Sequence, residues 1–138
     1  MIVTDTISFQ TGGDCDIVDI TSQVARQVAE SGINNGTVTV FVPGSTAGVT
    51  TIEYESGLVT DLQQVWERLV SRNIPYNHDR RWGDGNGHSH VRASLLGSSL
   101  VVPFTGRKLT LGTWQQIILV DFDNRPRSRR VILQIMGE

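Results

Sequence analysis

Three histidines, His78, His88 and His90, are the only ones in this 138-residue chain. All three fall within one glycine-broken stretch, Y-N-H-D-R-R-W-G-D-G-N-G-H-S-H. Imidazole is the side chain most used for metal ligation and for proton transfer near neutral pH. The stretch also carries Asp79, Asp84, Arg80, Arg81 and Asn86, with Arg92 just beyond. Read as an extended chain, it places His88 and His90 on the same side, about 7 Å apart at the backbone. That suits two ligands of one ion, and His78 closes a third corner when the loop folds back. Three imidazoles, or two with a carboxylate, plus an open water position make a catalytic zinc arrangement. The spacing is not that of H-E-x-x-H. The plainer alternative is a set of loop histidines that hydrogen-bond the backbone.

Carboxylates and arginines elsewhere could serve the same site. Glu53 follows an apolar β-like segment, and Asp61 sits between Leu58 and Leu62 on a helical pattern. Either one beside His90 would make an acid–base pair. The alternative for Asp61 is a solvated helix flank. In an extended chain Arg125, Arg127 and Arg129 alternate onto one side, able to grip a phosphate or carboxylate by bidentate, charge-assisted bonds. They can equally pair with the nearby Asp121 and Asp123, or guard a strand edge. The turn G-S-T-A-G at 44–48 can form a small backbone nest for an anion. It is not G-x-S-x-G, which argues against a serine nucleophile.

The elements that must position these groups read as follows. Residues 1–9 alternate loosely as a strand, and T-G-G-D turns the chain. Val24 and Val28 mark a short helix over 21–31, with Asp19 or Thr21 as cap and Gly32 as its left-handed stop. Val38, Val40 and Val42 alternate as a half-buried strand, and V-T-T-I-E-Y continues after P-G-S. Leu58, Leu62, Val65, Trp66 and Leu69 mark a second helix opened by Ser56. Beyond the histidine loop, H-V-R-A-S-L-L-G predicts one or two helical turns. The last third is strand-rich, and the run W-Q-Q-I-I-L-V-D-F is apolar on both faces, as a centrally covered strand would be. The expected architecture is one α+β domain over 1–138, with two main helices and a largely antiparallel sheet or sandwich.

Composition narrows the function classes. Hydrophobic residues make up 38% and charged residues 19%, which fits a globular chain and argues against disorder. The formal net charge of -2 gives no general attraction to nucleic acid or to anionic membranes. Cys15 is the single cysteine, which excludes an intrachain disulfide and fits a reducing cytosol. No signal peptide and no membrane span are read, so the expected location is cytoplasmic.

Several segments occur in fixed order: S-T-A-G-V-T-T-I-E, Y-N-H, D-G-N-G-H-S-H-V-R-A-S-L-L-G, G-R-K-L-T-L-G-T-W-Q and R-P-R-S-R-R-V. Together they resemble the YjbQ family, also called the secondary thiamine-phosphate synthase group. The resemblance implies a compact α+β sandwich, a homotrimer, and a pocket of histidines and acids near subunit boundaries. It implies an enzyme that joins a pyrimidine diphosphate to a thiazole phosphate and releases pyrophosphate. On the matching positions His78, His90, Glu53 and Asp61 are the catalytic candidates. Asn86, Thr113, Trp114, Arg127 and Arg129 are the substrate-binding candidates. The metal ligands expected for zinc or magnesium are His78, His88 and His90. This chain departs from the family pattern at Gly44, where many members carry histidine, and the expectation is that His88 replaces that imidazole. Two alternatives stand beside the synthase: metal-assisted hydrolysis or phosphoryl transfer on a small phosphorylated metabolite, and a non-catalytic trimer that binds a metal or an anion.

Overall fold

The computed structural model describes residues 1–138. Its strands are β1 (Ile2–Thr11), β2 (Asp16–Asp19), β3 (Gly36–Phe41), β4 (Ala47–Ile52), β5 (Ser99–Thr105), β6 (Lys108–Leu109), β7 (Gln116–Asp121) and β8 (Arg127–Gly137). Its helices are α1 (Thr21–Glu30), α2 (Ser56–Leu69), α3 (Asn77–Trp82) and α4 (Gly87–Leu96). A five-stranded sheet runs β1-β8-β3-β5-β6 and a three-stranded sheet runs β2-β7-β4. Every pairing is antiparallel. The α+β fold with antiparallel sheets is therefore as expected.

β7 explains the layering. Its residues alternate between two apolar cores, as the period of a strand requires. Ile117 and Leu119 join a core with Val38, Val40, Leu133 and Ile135 of the larger sheet, sealed by Val24 and Val28 of α1. Ile118 and Val120 join a second core with Trp66 of α2 and Ala93 of α4. The run that is apolar on both faces is thus the middle strand of a sheet covered on both sides.

Four helices form: the two main ones expected, α4 in place of the one or two turns expected over 90–97, and α3, which was not expected. The histidine segment is not an extended loop but two helices in close contact. Gly87 opens α4 against α3, and a Cβ there would lie 2.6 Å from the Cβ of Tyr76. The Gly87 N–H donates to Asp79 Oδ1 at 2.8 Å, fastening the start of α4 to α3. α1 stops as expected, with Gly32 at φ +80°, and Asp19 accepts from the Thr21 N–H at 2.9 Å. α2 is capped one residue earlier than expected: the Glu55 carboxylate, not Ser56, accepts from the N–H groups of Gly57 and Leu58. No helix is long and apolar enough to cross a membrane.

Candidate functional site

β7 ends at Asp121, Phe122 and Asp123 follow it, and both carboxylates are buried. Arg129 on β8 grips Asp121 with two bonds, Nε to Oδ2 at 2.7 Å and Nη2 to Oδ1 at 2.9 Å. Nη2 also donates to Thr46 Oγ1 at 2.6 Å. Thr11 donates to Asp121 Oδ2 at 2.5 Å, and the Asp123 N–H donates to Oδ1 at 3.0 Å. Burial pushes the Asp121 carboxyl up, but the bonds from Arg129, Thr11 and Asp123 outweigh it and hold it below the usual carboxylate range. Asp123 follows the same logic: burial raises it, while the Asn124 N–H, Asn86, Thr46 and Arg127 bring it below that range. This floor ties β1, β4, β7 and β8 together at one end of both sheets.

Above the floor sits the histidine rim. His78 on α3 places Nδ1 3.6 Å from Asp79 Oδ1 and 3.5 Å from Asp84 Oδ1. Ligand atoms of these three residues all lie within 4.8 Å of one another. His78 Nδ1 is buried and has no hydrogen-bond partner. The His90 ring lies beside that of His78, with centroids 4.4 Å apart. The Asn86 amide stands between the Asp84 and Asp123 carboxylates. In one orientation Nδ2 donates to Asp123 at 3.3 Å, which turns the amide oxygen toward Asp84; rotated, Nδ2 donates to Asp84 at 3.1 Å. Either orientation satisfies one carboxylate and leaves the amide oxygen facing the other.

The expected site residues separate into three places. His78, His90, Asn86, Arg127 and Arg129 gather at the Asp121 end of the sheets. His88 does not join them. Two residues along an α-helix is a turn of about 200°, so α4 aims His88 away from His90. It is buried, 4% exposed, with its ring 6.3 Å from that of Tyr76. It therefore neither completes a three-histidine ligand set nor replaces an imidazole at Gly44. Burial, followed by the Arg92 and Arg72 charges, lowers its pKa below the usual histidine value. Glu53, Thr113 and Trp114 lie at the other end: Ile52 pairs with Gln116 where Ala47 pairs with Asp121. Five residues of strand put about 16 Å between the two ends. Glu53 is exposed, and so is Asp61 on the outer flank of α2.

A family model described as "UPF0047 protein YjbQ-like" matches residues 5–138. The chain belongs to the YjbQ family. Relatives include a UPF0047 protein of Archaeoglobus fulgidus, 41% identical over 94% of this chain and 98% of its own. The UPF0047 protein YugU of Bacillus subtilis is 32% identical over 96% and 98%. A solved YbjQ-like structure from Sulfolobus solfataricus superposes with a TM-score of 0.95, at 36% identity, covering 100% of this chain and 99% of the other. A YjbQ/UPF0047 structure from Clostridium acetobutylicum gives 0.87 at 34% identity, over 96% and 99%.

Within this YjbQ chain, sequence reasoning left some site residues without a role. Asp79 and Asp84 complete the donor cluster where His88 and His90 were expected. Their neighbourhood with His78 in one short segment was the available signal. Thr11 and Thr46 gave none, because only the sheet register brings them to Asp121. Arg92 was another surprise: 1% exposed, it donates to Val70 O at 3.0 and 2.8 Å and to Glu67 at 2.8 Å, bracing α4 against α2.

Proposed function

We propose that this chain is a metal-assisted enzyme acting on a small phosphorylated metabolite, with the cation held by His78, Asp79 and Asp84. The observation that carries the reading is the buried, unpartnered Nδ1 of His78 set between two carboxylates. A neutral imidazole nitrogen facing carboxylate oxygens wants either a proton or a cation, and the mixed N/O donor set suits zinc better than magnesium, which prefers an all-oxygen shell. When bound, such a cation polarises a phosphoryl oxygen or lowers the pKa of a water. The protein's own parts then divide the work. His90 borders a 430 Å³ cavity with Gly44, Ser45 and Ser94, where it can give or take a proton. Arg127 and Arg129 lie across Gly44 and bring positive charge to the substrate's anionic end.

Hydrolysis or phosphoryl transfer needs only this end of the molecule. Thiamine-phosphate synthase-type transfer, which the family resemblance implies, would also draw on Glu53, Thr113 and Trp114 at the far end, and that favours a site shared between copies. A homotrimer is supported by the outer face of the five-stranded sheet. That face carries Ile2, Phe41, Val101 and Met136 among threonines, and its charged residues are Arg130 and, on the edge strand β6, Lys108.

Elemental mass spectrometry on tag-free protein, beside activity on a phosphorylated-metabolite panel, tests the proposal. We expect about one zinc-like ion per chain. It should be lost, together with turnover, in both His78→Ala and Asp84→Ala. Metal-free protein whose activity survives chelation would overturn the reading.

A further inference from the structure

Arg129 is almost fully buried, 5% exposed, yet its guanidinium is only partly used. Nε and Nη2 serve Asp121 and Thr46, and Nη1 makes no hydrogen bond in the protein. A Cβ built on Gly44 would lie 3.1 Å from that free Nη1. Gly44 has φ +118°, a conformation that side-chain-bearing residues rarely adopt. This one glycine borders two cavities: the 430 Å³ cavity of His90, and a 570 Å³ cavity lined by Arg127, Arg129, Arg130 and Ser128.

The sheet leaves that second cavity open. β3 follows β8 only as far as Phe41 opposite Ile132, so Arg127–Val131, paired with β1 along one side, has no strand along the other. Charge also favours an incoming anion. Arg127 and Arg129 face the Asp121 and Asp123 carboxylates, while Arg130, on the opposite face of β8 at the cavity edge, has no carboxylate partner, which leaves one guanidinium charge uncompensated.

We propose that this cavity is a phosphoryl-binding subsite, anchored on Arg129 Nη1, and that the bare backbone of Gly44 is the gate through which a substrate reaches from it to His90. The subsite rests on the metal-centre reading only for the identity of its substrate; the anion contact itself needs no metal. A buried guanidinium already fixed by Asp121 loses little freedom when it binds, so its remaining N–H is a preorganised donor. A side chain at position 44 would cover that donor and narrow the passage. Gly44 thus acts as a specificity-determining residue, and the substrate class is one with a terminal phosphoryl group separated from the reacting centre.

The test is calorimetric titration of chelator-treated protein with inorganic phosphate. Wild type should bind it, and Arg127→Gln/Arg130→Gln should weaken binding by about tenfold or more. Gly44→Leu should weaken it comparably, and the arginine pair decides the matter if that variant does not fold. His78→Ala should bind phosphate as wild type does, which separates this subsite from the metal centre. Phosphate that fails to bind metal-free wild type, or that binds the arginine variant undiminished, would overturn the subsite. A protein that binds phosphate but never holds a metal would sink the metal centre and leave the subsite standing.

Discussion

At the Asp121 end of the sheets two polar clusters lie side by side, joined by Asn86 and Asn124, and they are completed to different degrees. In the floor, Asp121 accepts from both nitrogens of one guanidinium edge, from a hydroxyl and from a backbone N–H. In the rim, His78 Nδ1 is buried beside two carboxylates and bonds to nothing. Unpaired buried polar atoms cost about 1–3 kcal/mol each, and His78 Nδ1 shares that state with Trp66 Nε1 and His88 Nδ1 but is the one set between two carboxylates. The floor is a scaffold, finished by the protein alone; on the proposed reading the rim is a receptor that a ligand finishes. Arg129 belongs to both, because its saturated edge faces inward and its free Nη1 faces the cavity.

This contrast predicts opposite responses to substitution. Arg129→Ala leaves the Asp121 charge buried without its partner and should lower unfolding free energy by about 3–5 kcal/mol in urea titrations. His78→Ala removes an unsatisfied group and should stay within about 0.5 kcal/mol of wild type. Equal losses in the two variants would break the distinction. The acid limb belongs to the floor as well. The Asp121 carboxyl is depressed in the folded state, so its contribution is present above the unfolded-state value and disappears as pH falls through the folded one. Stability should therefore decline below about pH 4 in wild type, and much less steeply in Asp121→Asn.

Metal should act on the rim alone. Zinc at about a hundredfold over its dissociation constant should stabilise wild type by about 2.7 kcal/mol. The gain should vanish in His78→Ala and persist in any floor variant that still folds. Stabilisation that survives His78→Ala would place the ion elsewhere.

The sequence made the larger pattern legible and the finer one obscure, for reasons that specific residues show. β7 announced itself because four consecutive apolar residues, Ile117–Val120, can be satisfied only between two cores. α1 was visible through Val24 and Val28, its single buried stripe. α4 was visible only as the one or two turns of H-V-R-A-S-L-L-G, because Gly87, His88, Ser89, Arg92 and Ala93 are all buried. A helix enclosed on several sides by small and polar residues has no amphipathic period to read. Treating that segment as extended is what put His88 beside His90. The floor was half legible: Arg129 and Asp121 are eight residues apart, and their pairing was among the readings considered. Its Thr46 partner lies 83 residues from Arg129, and only strand register joins them.

His88 gives the smallest predicted effect and the sharpest check on how the three histidines divide. Its ring is buried against Tyr76, and burial together with the Arg92 and Arg72 charges disfavours the imidazolium, with Asp79 and Glu67 opposing only weakly. Its folded-state pKa is therefore below its unfolded value near 6.5. Where the unfolded chain takes up a proton that the folded chain refuses, stability rises with pH. As pH falls below about 6.5, wild type should lose stability progressively until the folded-state pKa is reached. His88→Leu, of similar bulk and without a titrating ring, should flatten that part of the profile in metal-free protein. A His88→Leu profile as steep as that of wild type would overturn the assignment of His88 as a buried, structural imidazole.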